Sequence, residues 1–444
     1  MKKTITTILF IAVAVTLTLS GCNIRNLSLG DKTTTLSIWH VYGSQTESPM
    51  NDIIDEFNQS VGKDKGIVVE VTSVSDSAAI DEAVVNAADS GNLPDIFTAY
   101  PRIVNKIDKD MLLNWNDYFS EKELSGYVED FLSEGYFDDK FLMFPIAKST
   151  ELFFLNKTLF ERFSDNTDFS DFNNIFALCD KYYDYSDGKA MLQINDYYHF
   201  FFTQIHALGG NFIENNKINT DSKEFEAAFT PLAKAAIYGG LSTDGGYASD
   251  KWKTAELISS VGSTAGIMYM RDYVTYENGD DENIETKVYT YPTLNGTNPT
   301  AIQRGTGIFG VKSDDEKKNK AIALFVKWLT EKEHNLHLAT EMGYLPVTKE
   351  AFDELMSNLD AVENPKYRLV YEAVSKMYDN YSFIALPLLD NSADMQKNFE
   401  QSVKTVLSEA HKTYIKRIDG GEDKEAVMNE LLTVSLSSLK KQMR

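Results

Sequence analysis

The side chains best placed to do chemistry in this sequence of 444 residues are hydroxyls and phenols, with an occasional guanidinium, in segments beside short apolar runs. Trp39-His40-Val41-Tyr42-Gly43 and Thr98-Ala99-Tyr100-Pro101-Arg102 each end such a run, and His40, Tyr42 and Tyr100 are candidates there for contact with a ligand. Ser149 and Thr150 precede the run Glu151 to Leu155. Tyr198 and His199 fall in an aromatic string at 197–202. Arg271, Asp272 and Tyr273 share one loop, and Arg304, Gly305 and Tyr344 come later. Hydroxyls donate and accept, phenols add a flat apolar face, and arginine offers a planar fork of donors. No GxxxxGK[ST] phosphate loop and no HExxH zinc pair occurs. His334 and His337, with Glu333, lack a third ligand nearby and read as solvated residues. Ser263 stands second, not third, in Gly262-Ser263-Thr264-Ala265-Gly266, so it is no nucleophile elbow. The acidic strings at 279–282 and 421–423 lack calcium-loop spacing. No catalytic residue, metal or cofactor is assigned. A pair of carboxylates about 5–10 Å apart across a cleft remains the one enzymatic possibility.

Elements that position these residues follow from periodicity. Leu36 to Trp39 and Ile67 to Val71 read as strands, and Leu93 to Phe97 starts a third. Between the first two, Ser48-Pro49 is an N-cap and first-turn pair for a helix that buries Met50, Ile53, Ile54 and Phe57; Ala78 to Ala88 is the next helix. Strand–helix alternation predicts a parallel sheet covered on both faces, with ligands at the carboxyl ends of its strands. Residues 321, 324, 325, 328 and 329 form an apolar helical stripe, and Cys179 reads as a small buried hydrophobe. The composition, 43% hydrophobic and 25% charged, is that of a globular chain. With 43 basic against 66 acidic residues the net charge is −23, so no nucleic-acid partner is expected.

At the start, Lys2 and Lys3 precede an uncharged stretch whose dense apolar part runs from Ile5 to Leu19, short for a bilayer span and right for a secretory signal. It ends Leu19-Ser20-Gly21-Cys22, which resembles a bacterial lipoprotein signal. That resemblance implies cleavage before Cys22 and a lipid such as palmitate on its thiol. Residues 1–21 are then the signal peptide and 22–34 a polar tether, holding a soluble body outside the cell membrane.

Pro145-Ile146-Ala147-Lys148-Ser149-Thr150, an apolar strand and Asn156-Lys157 together resemble the passage between lobes in family 1 extracellular solute-binding proteins of ABC importers. The Ile38-Trp39-His40 opening, Gly91-Asn92-Leu93-Pro94-Asp95-Ile96, Ser263 to Tyr273, Arg304-Gly305-Thr306-Gly307 and Gly343-Tyr344-Leu345-Pro346 fit the same family in the same order. The resemblance implies a two-lobed periplasmic-binding-protein-like α/β fold, each lobe a mostly parallel sheet with flanking helices. The first lobe would combine 33–146 with 306–348, and the second 147–305 with 349–444. It further implies a monomer that binds a sugar or oligosaccharide between the lobes, delivers it to permease subunits, and touches the membrane only through its lipid.

In such a site polar side chains hydrogen-bond the ligand and an aromatic ring stacks on its C–H face. The position of Ser149 often touches ligand in the family, Tyr273 falls where a stacking tryptophan is common, and Tyr344 resembles a contact residue of the glycerol-phosphate branch. Arg304 would clamp a diol or an anion. Trp252 is a further possible platform. Alternatives stay open: Ser149 and Thr150 as backbone caps, Glu151 as a structural carboxylate, Tyr273 as a core ring, and the whole as a surface-anchored glycoside hydrolase. No arginine stands between Ser392 and Lys404, where the glycerol-phosphate branch carries one, although Lys397 is near. That departure favours a neutral ligand.

Overall fold

The structure is a computed structural model and describes residues 33–444 apart from 43–47, 76, 166–167, 295, 379 and 390. The lipidation expected at Cys22 lies outside the described residues. Along the chain the principal strands are β1 (Thr34–His40), β2 (Ile67–Ser73), β3 (Ile96–Ala99), β4 (Phe144–Pro145), β5 (Glu151–Asn156), β6 (Leu192–Ile194), β7 (Ser259–Ser263), β8 (Thr286–Tyr289), β9 (Thr300–Ile302), β10 (Gly307–Gly310) and β11 (Ser382–Ile384). The helices that matter to the argument are α1 (Pro49–Gln59), α2 (Ser77–Ser90), α3 (Phe172–Tyr185), α4 (Tyr197–Ala207), α5 (Lys223–Tyr238), α6 (Glu316–Leu329), α7 (Lys332–Thr340), α8 (Lys349–Ser357), α9 (Pro365–Tyr378), α10 (Ser392–Asp419) and α11 (Lys424–Gln442).

The first sheet has the order β2-β1-β3-β10-β4, and the second β8-β5-β7-β6. Each is mostly parallel with one reversed strand, and the reason is topological. β10 runs against β3 and β4, and β5 runs against β7 and β8. These two strands are the ones entered directly from the other lobe, so they arrive from the opposite side.

The first sheet is covered on both faces because neighbouring residues of a strand point to opposite sides. Ile96 and Ile308 pack with α1 and α6 on one face, while Phe97 and Phe309 pack with Ile80 and Val84 of α2 on the other. α1 forms where expected: Ser48 accepts a hydrogen bond from the Asn51 N–H, Pro49 opens the first turn, and Met50, Ile53, Ile54 and Phe57 are buried. Phe57 meets Phe325 and Trp328 of α6 edge-on. In the second lobe β5 is buried along its whole length, and α3, α4, α10 and α11 gather around α5. Cys179 is buried there as a free thiol.

Between the sheets three segments run side by side. Ser149 and Arg304 exchange two backbone hydrogen bonds (2.9 and 2.8 Å), and Lys148 and Leu345 exchange two more (3.0 and 2.6 Å). From Leu345 the chain continues through α8, which packs on α7 and α9, and α9 reaches β8 of the second sheet. Asn335 of α7 closes this junction: its amide donates to the Ile146 carbonyl and accepts from the Val347 N–H, both at 2.7 Å, and the residue is fully buried. Asn335→Ala strands both groups away from water, at about 1–3 kcal/mol each. Urea unfolding of this variant should show a loss of about 3 kcal/mol; a loss well under 1 kcal/mol would mean that the junction finds other partners.

Candidate functional site

A cavity of 2610 Å³ lies at the junction, with one wall from the carboxyl ends of β1, β2 and β3 and the other from α4, the loop before Trp252, residues 263–270 and the start of α10. Seven of the sequence candidates line it: Tyr42, Tyr100, Tyr198, His199, Arg304, Gly305 and Tyr344. Tyr42 is fixed from the return segment, its hydroxyl donating to the Thr306 carbonyl (3.1 Å) and lying 2.6 Å from Thr306 Oγ1. Its ring stands edge-on to Tyr344 at 5.6 Å. Gly305 has φ +133, and a Cβ there would sit 2.7 Å from the Ala147 carbonyl oxygen. The close approach of the two crossing segments therefore requires glycine.

The other six candidates lie off the cavity wall, and each has a physical reason. His40 is fully buried below the β1 end, its Nε2–H donating to Asn51 Oδ1 (2.8 Å) and its Nδ1 accepting from the Tyr42 N–H (3.1 Å). Both nitrogens are thus committed to positioning the Tyr42 loop in the neutral tautomer. Burial holds its pKa below the ordinary value, against the Asn51 bond. Ser149 is buried in the backbone pair, and the Thr150 hydroxyl donates to the Ile302 carbonyl at 2.8 Å. Arg271, Asp272 and Tyr273 are exposed elsewhere: the guanidinium lies over the Tyr273 ring at 5.3 Å, and Asp272 pairs with Lys366 at 3.1 Å. Strand β7 ends at Ser263 and a 3-10 helix follows at Thr264–Tyr269, so the loop meets the cavity earlier than expected, with Tyr269. Trp252 is a core ring whose Nε1–H donates to the Arg271 carbonyl. His334 is not solvated either. It stacks on Trp328 at 3.8 Å, with Nδ1 2.9 Å from the Trp328 carbonyl, while His337 is exposed.

Several wall residues escaped the sequence reading. Tyr247 and Tyr269 are 72% and 49% exposed and close enough to influence each other. Gly245-Gly246 before Tyr247 was the available signal, since an aromatic on a glycine-rich turn has no core to join. Asp196, Gln303 and Glu400 also face the cavity. Asp196 is the N-cap of α4, accepting from the His199 N–H at 2.9 Å, and Asn195-Asp196 ahead of the aromatic run carried that signal. Glu400 comes from α10, 204 residues further on, and accepts from the Tyr198 N–H at 2.6 Å.

Several charges at the junction are paired with one another. Arg304 reaches Glu151 Oε1 at 2.9 Å, and His199 Nδ1 lies 3.0 Å from the same oxygen and 3.1 Å from Asp196 Oδ2. Lys404 pairs with Glu400 at 3.3 Å and Arg102 with Asp81 at 2.8 Å. Burial alone would raise the Asp196 carboxyl, but His199 and Arg304 outweigh it and the group stays below its ordinary range. Arg304 keeps its proton: burial works against it, and Tyr100, Glu151 and Asp196 more than compensate. Glu400 goes the other way, pushed up to about 8 by burial and then by the charge of Asp196. Among the described residues no group of His, Cys, Asp and Glu is arranged to hold a metal ion.

A carboxyl group raised on folding stabilises the native state at low pH, fully so below its unfolded value near 4.5, and that contribution fades as pH rises through the folded value. Raising the pH from 6.5 to 9 should therefore cost on the order of 1–2 kcal/mol through Glu400. Glu400→Gln should flatten the melting profile over that window. Identical profiles for both proteins would show that Glu400 does not titrate there.

A family model described as bacterial extracellular solute-binding protein matches residues 52–368. Among solved structures the chain is similar to the cyclic alpha-maltosyl-1,6-maltose binding protein from Arthrobacter globiformis, at 17% identity and TM-score 0.66, over 92% of this chain and 100% of that one. It is similar to maltose-bound MalE3 of T. maritima, at 15% identity and TM-score 0.66, over 91% and 99%. UgpB from Mycobacterium tuberculosis in complex with glycerophosphocholine is also similar, at 17% identity and TM-score 0.68, over 93% and 100%. At these identities the likeness speaks for the two-lobed fold. A comparison with curated protein sequences finds no match. No helix among the described residues is long and apolar enough to cross a membrane. With a family model spanning well over half its length, this chain belongs to the bacterial extracellular solute-binding protein family.

Proposed function

We propose that this chain is the solute receptor of an ABC importer and that its ligand is an uncharged sugar or oligosaccharide held between the lobes. The observation that carries the reading is the pairing of charge at the cavity. Arg304 and Arg102 each already face a carboxylate, so a phosphate would compete with Glu151 and Asp81 for them. Hydroxyl-bearing rings do the opposite: Tyr100, Tyr247, Tyr269 and Tyr344 offer aromatic surface and hydroxyls to a ligand that is itself polar on its edges and apolar on its C–H faces. The cavity exceeds the roughly 300–1,000 Å³ of a small-molecule pocket, which suits more than one sugar ring. Saccharides appear in the names of two of the similar structures, and a glycerophosphodiester in the third.

The division of the body into 33–146 plus 306–348 and 147–305 plus 349–444 belongs to this proposal, as do a monomeric state and anchoring through lipid on Cys22. Closure over the ligand is the form the permease subunits read. Turnover is not part of the reading. Asp196 and Glu400 are neighbours on one wall, both bonded to the first turn of α4, rather than a pair facing each other across a sugar bond.

Calorimetry of the purified protein against maltose, maltotriose, larger glucans and glycerophosphocholine tests this, with chromatography of each mixture for cleavage products. Saccharide binding without cleavage is expected. Binding of glycerophosphocholine alone would contradict the neutral-ligand reading, and cleavage would contradict the receptor reading. Tyr269→Ala and Tyr247→Ala should weaken saccharide binding about tenfold, ~1.4 kcal/mol, with unliganded melting unchanged. Tyr273→Ala should leave affinity as it is.

A further inference from the structure

Lys148 lies in the segment that leaves the first sheet, and only 1% of its side chain is exposed. Its ammonium meets Glu134 Oε2 at 2.5 Å. The other Glu134 oxygen accepts from Gln303 Nε2, also at 2.5 Å, and the same amide nitrogen donates to the Asp130 carbonyl at 3.0 Å. Lys148 and Gln303 immediately precede Ser149 and Arg304, the pair that joins the crossings. One carboxylate thus grips a side chain from each crossing strand.

Its two grips are anchored to different lobes: Lys148 opens the second lobe's stretch of chain, but its backbone is bonded twice to Leu345 of the first lobe, at 3.0 and 2.6 Å. Glu134 is held on the first: the Val128 N–H donates to the Val347 carbonyl at 3.0 Å, and the short helix Glu129–Ser133 packs on β4. Gln303 continues the second-lobe pairing of β9 with β11, its N–H donating to the Ile384 carbonyl at 2.8 Å. A rotation of one lobe against the other moves Gln303 relative to Glu134, whereas Lys148 travels with Glu134. Stability alone does not account for the arrangement, because a buried ion pair roughly breaks even against apolar side chains of similar volume. The cleft is wide in this conformation: its cavity measures 2610 Å³, and Tyr247 on the wall is 72% exposed.

We propose that Glu134 is a positioning residue for lobe movement, and that its contact with Gln303 holds the cleft in the wide form. A ligand closes the cleft by working against that contact. The latch then sets how much closed form exists before ligand arrives, and through that fraction the apparent affinity for any ligand. The inference rests on the two-lobed fold and not on the carbohydrate reading, so it is testable without a ligand.

The test is single-molecule energy transfer between dyes on the two lobes, at Asp89→Cys and Glu256→Cys, both exposed positions. A Cys22→Ala background is used, the remaining Cys179 being buried. Gln303→Leu leaves the Lys148–Glu134 ion pair intact, so no buried charge is stranded. It should raise the minor short-distance population about tenfold in unliganded protein, with the melting temperature little changed. Glu134→Leu combined with Lys148→Met removes both charges together and should give the same shift. A distribution that is unchanged, or that moves to wider separation, in either variant overturns the proposal.

Discussion

A polypeptide that passes from one sheet to another must satisfy its backbone N–H and C=O groups in a gap that neither sheet reaches. In this protein the crossing segments satisfy one another. Ser149 pairs with Arg304 and Lys148 with Leu345, while Asn335 takes the carbonyl and the N–H that remain at Ile146 and Val347. Much else follows. β5 and β10 each enter their sheet reversed, Gly305 is required by the closeness of the segments, and Arg304 is brought between Glu151 and the cavity. A ribbon of so few bonds between two well-packed lobes is also the natural place for them to turn about.

The second organising feature is the first turn of α4. Its N–H groups take two carboxylates, the cap Asp196 and Glu400 from α10, as a helix N-terminus favours. Glu400 thereby staples the late helix to the site, and Asp196 places His199 against Glu151, which in turn holds Arg304. The Arg304 guanidinium, which would otherwise attract an ionic ligand, is thereby spent on Glu151. Beside them the walls present phenolic rings, with flat faces and hydroxyls at their edges.

Much of this was legible in the sequence, and the failures share a cause. Short β-branched runs bounded by polar residues reveal β1 and β2, and helical spacing of apolar residues reveals α1, α2 and the α6 stripe. Loop positions at the ends of apolar runs mark Tyr42 and Tyr100, and the family resemblance of Gly343-Tyr344-Leu345-Pro346 marks Tyr344. Tyr273 is singled out by the resemblance, in which Ser263 to Tyr273 matches a strand, whereas the segment coils into a 3-10 helix and turns toward the cleft at Tyr269, four residues sooner. His40, Ser149 and Thr150 were placed in the right region but given the wrong partners, since their polar atoms are consumed by nearby backbone and Asn51. Pairings such as Asp196 with Glu400, or Glu134 with Gln303, join residues far apart in sequence, and no local pattern announces them.

The account stands on the idea that ligand draws the two lobes together across this junction. Small-angle scattering of the protein, alone and saturated with a saccharide that binds it by calorimetry, measures that directly. A smaller radius of gyration in the saturated sample is predicted; an unchanged radius at full occupancy would contradict it.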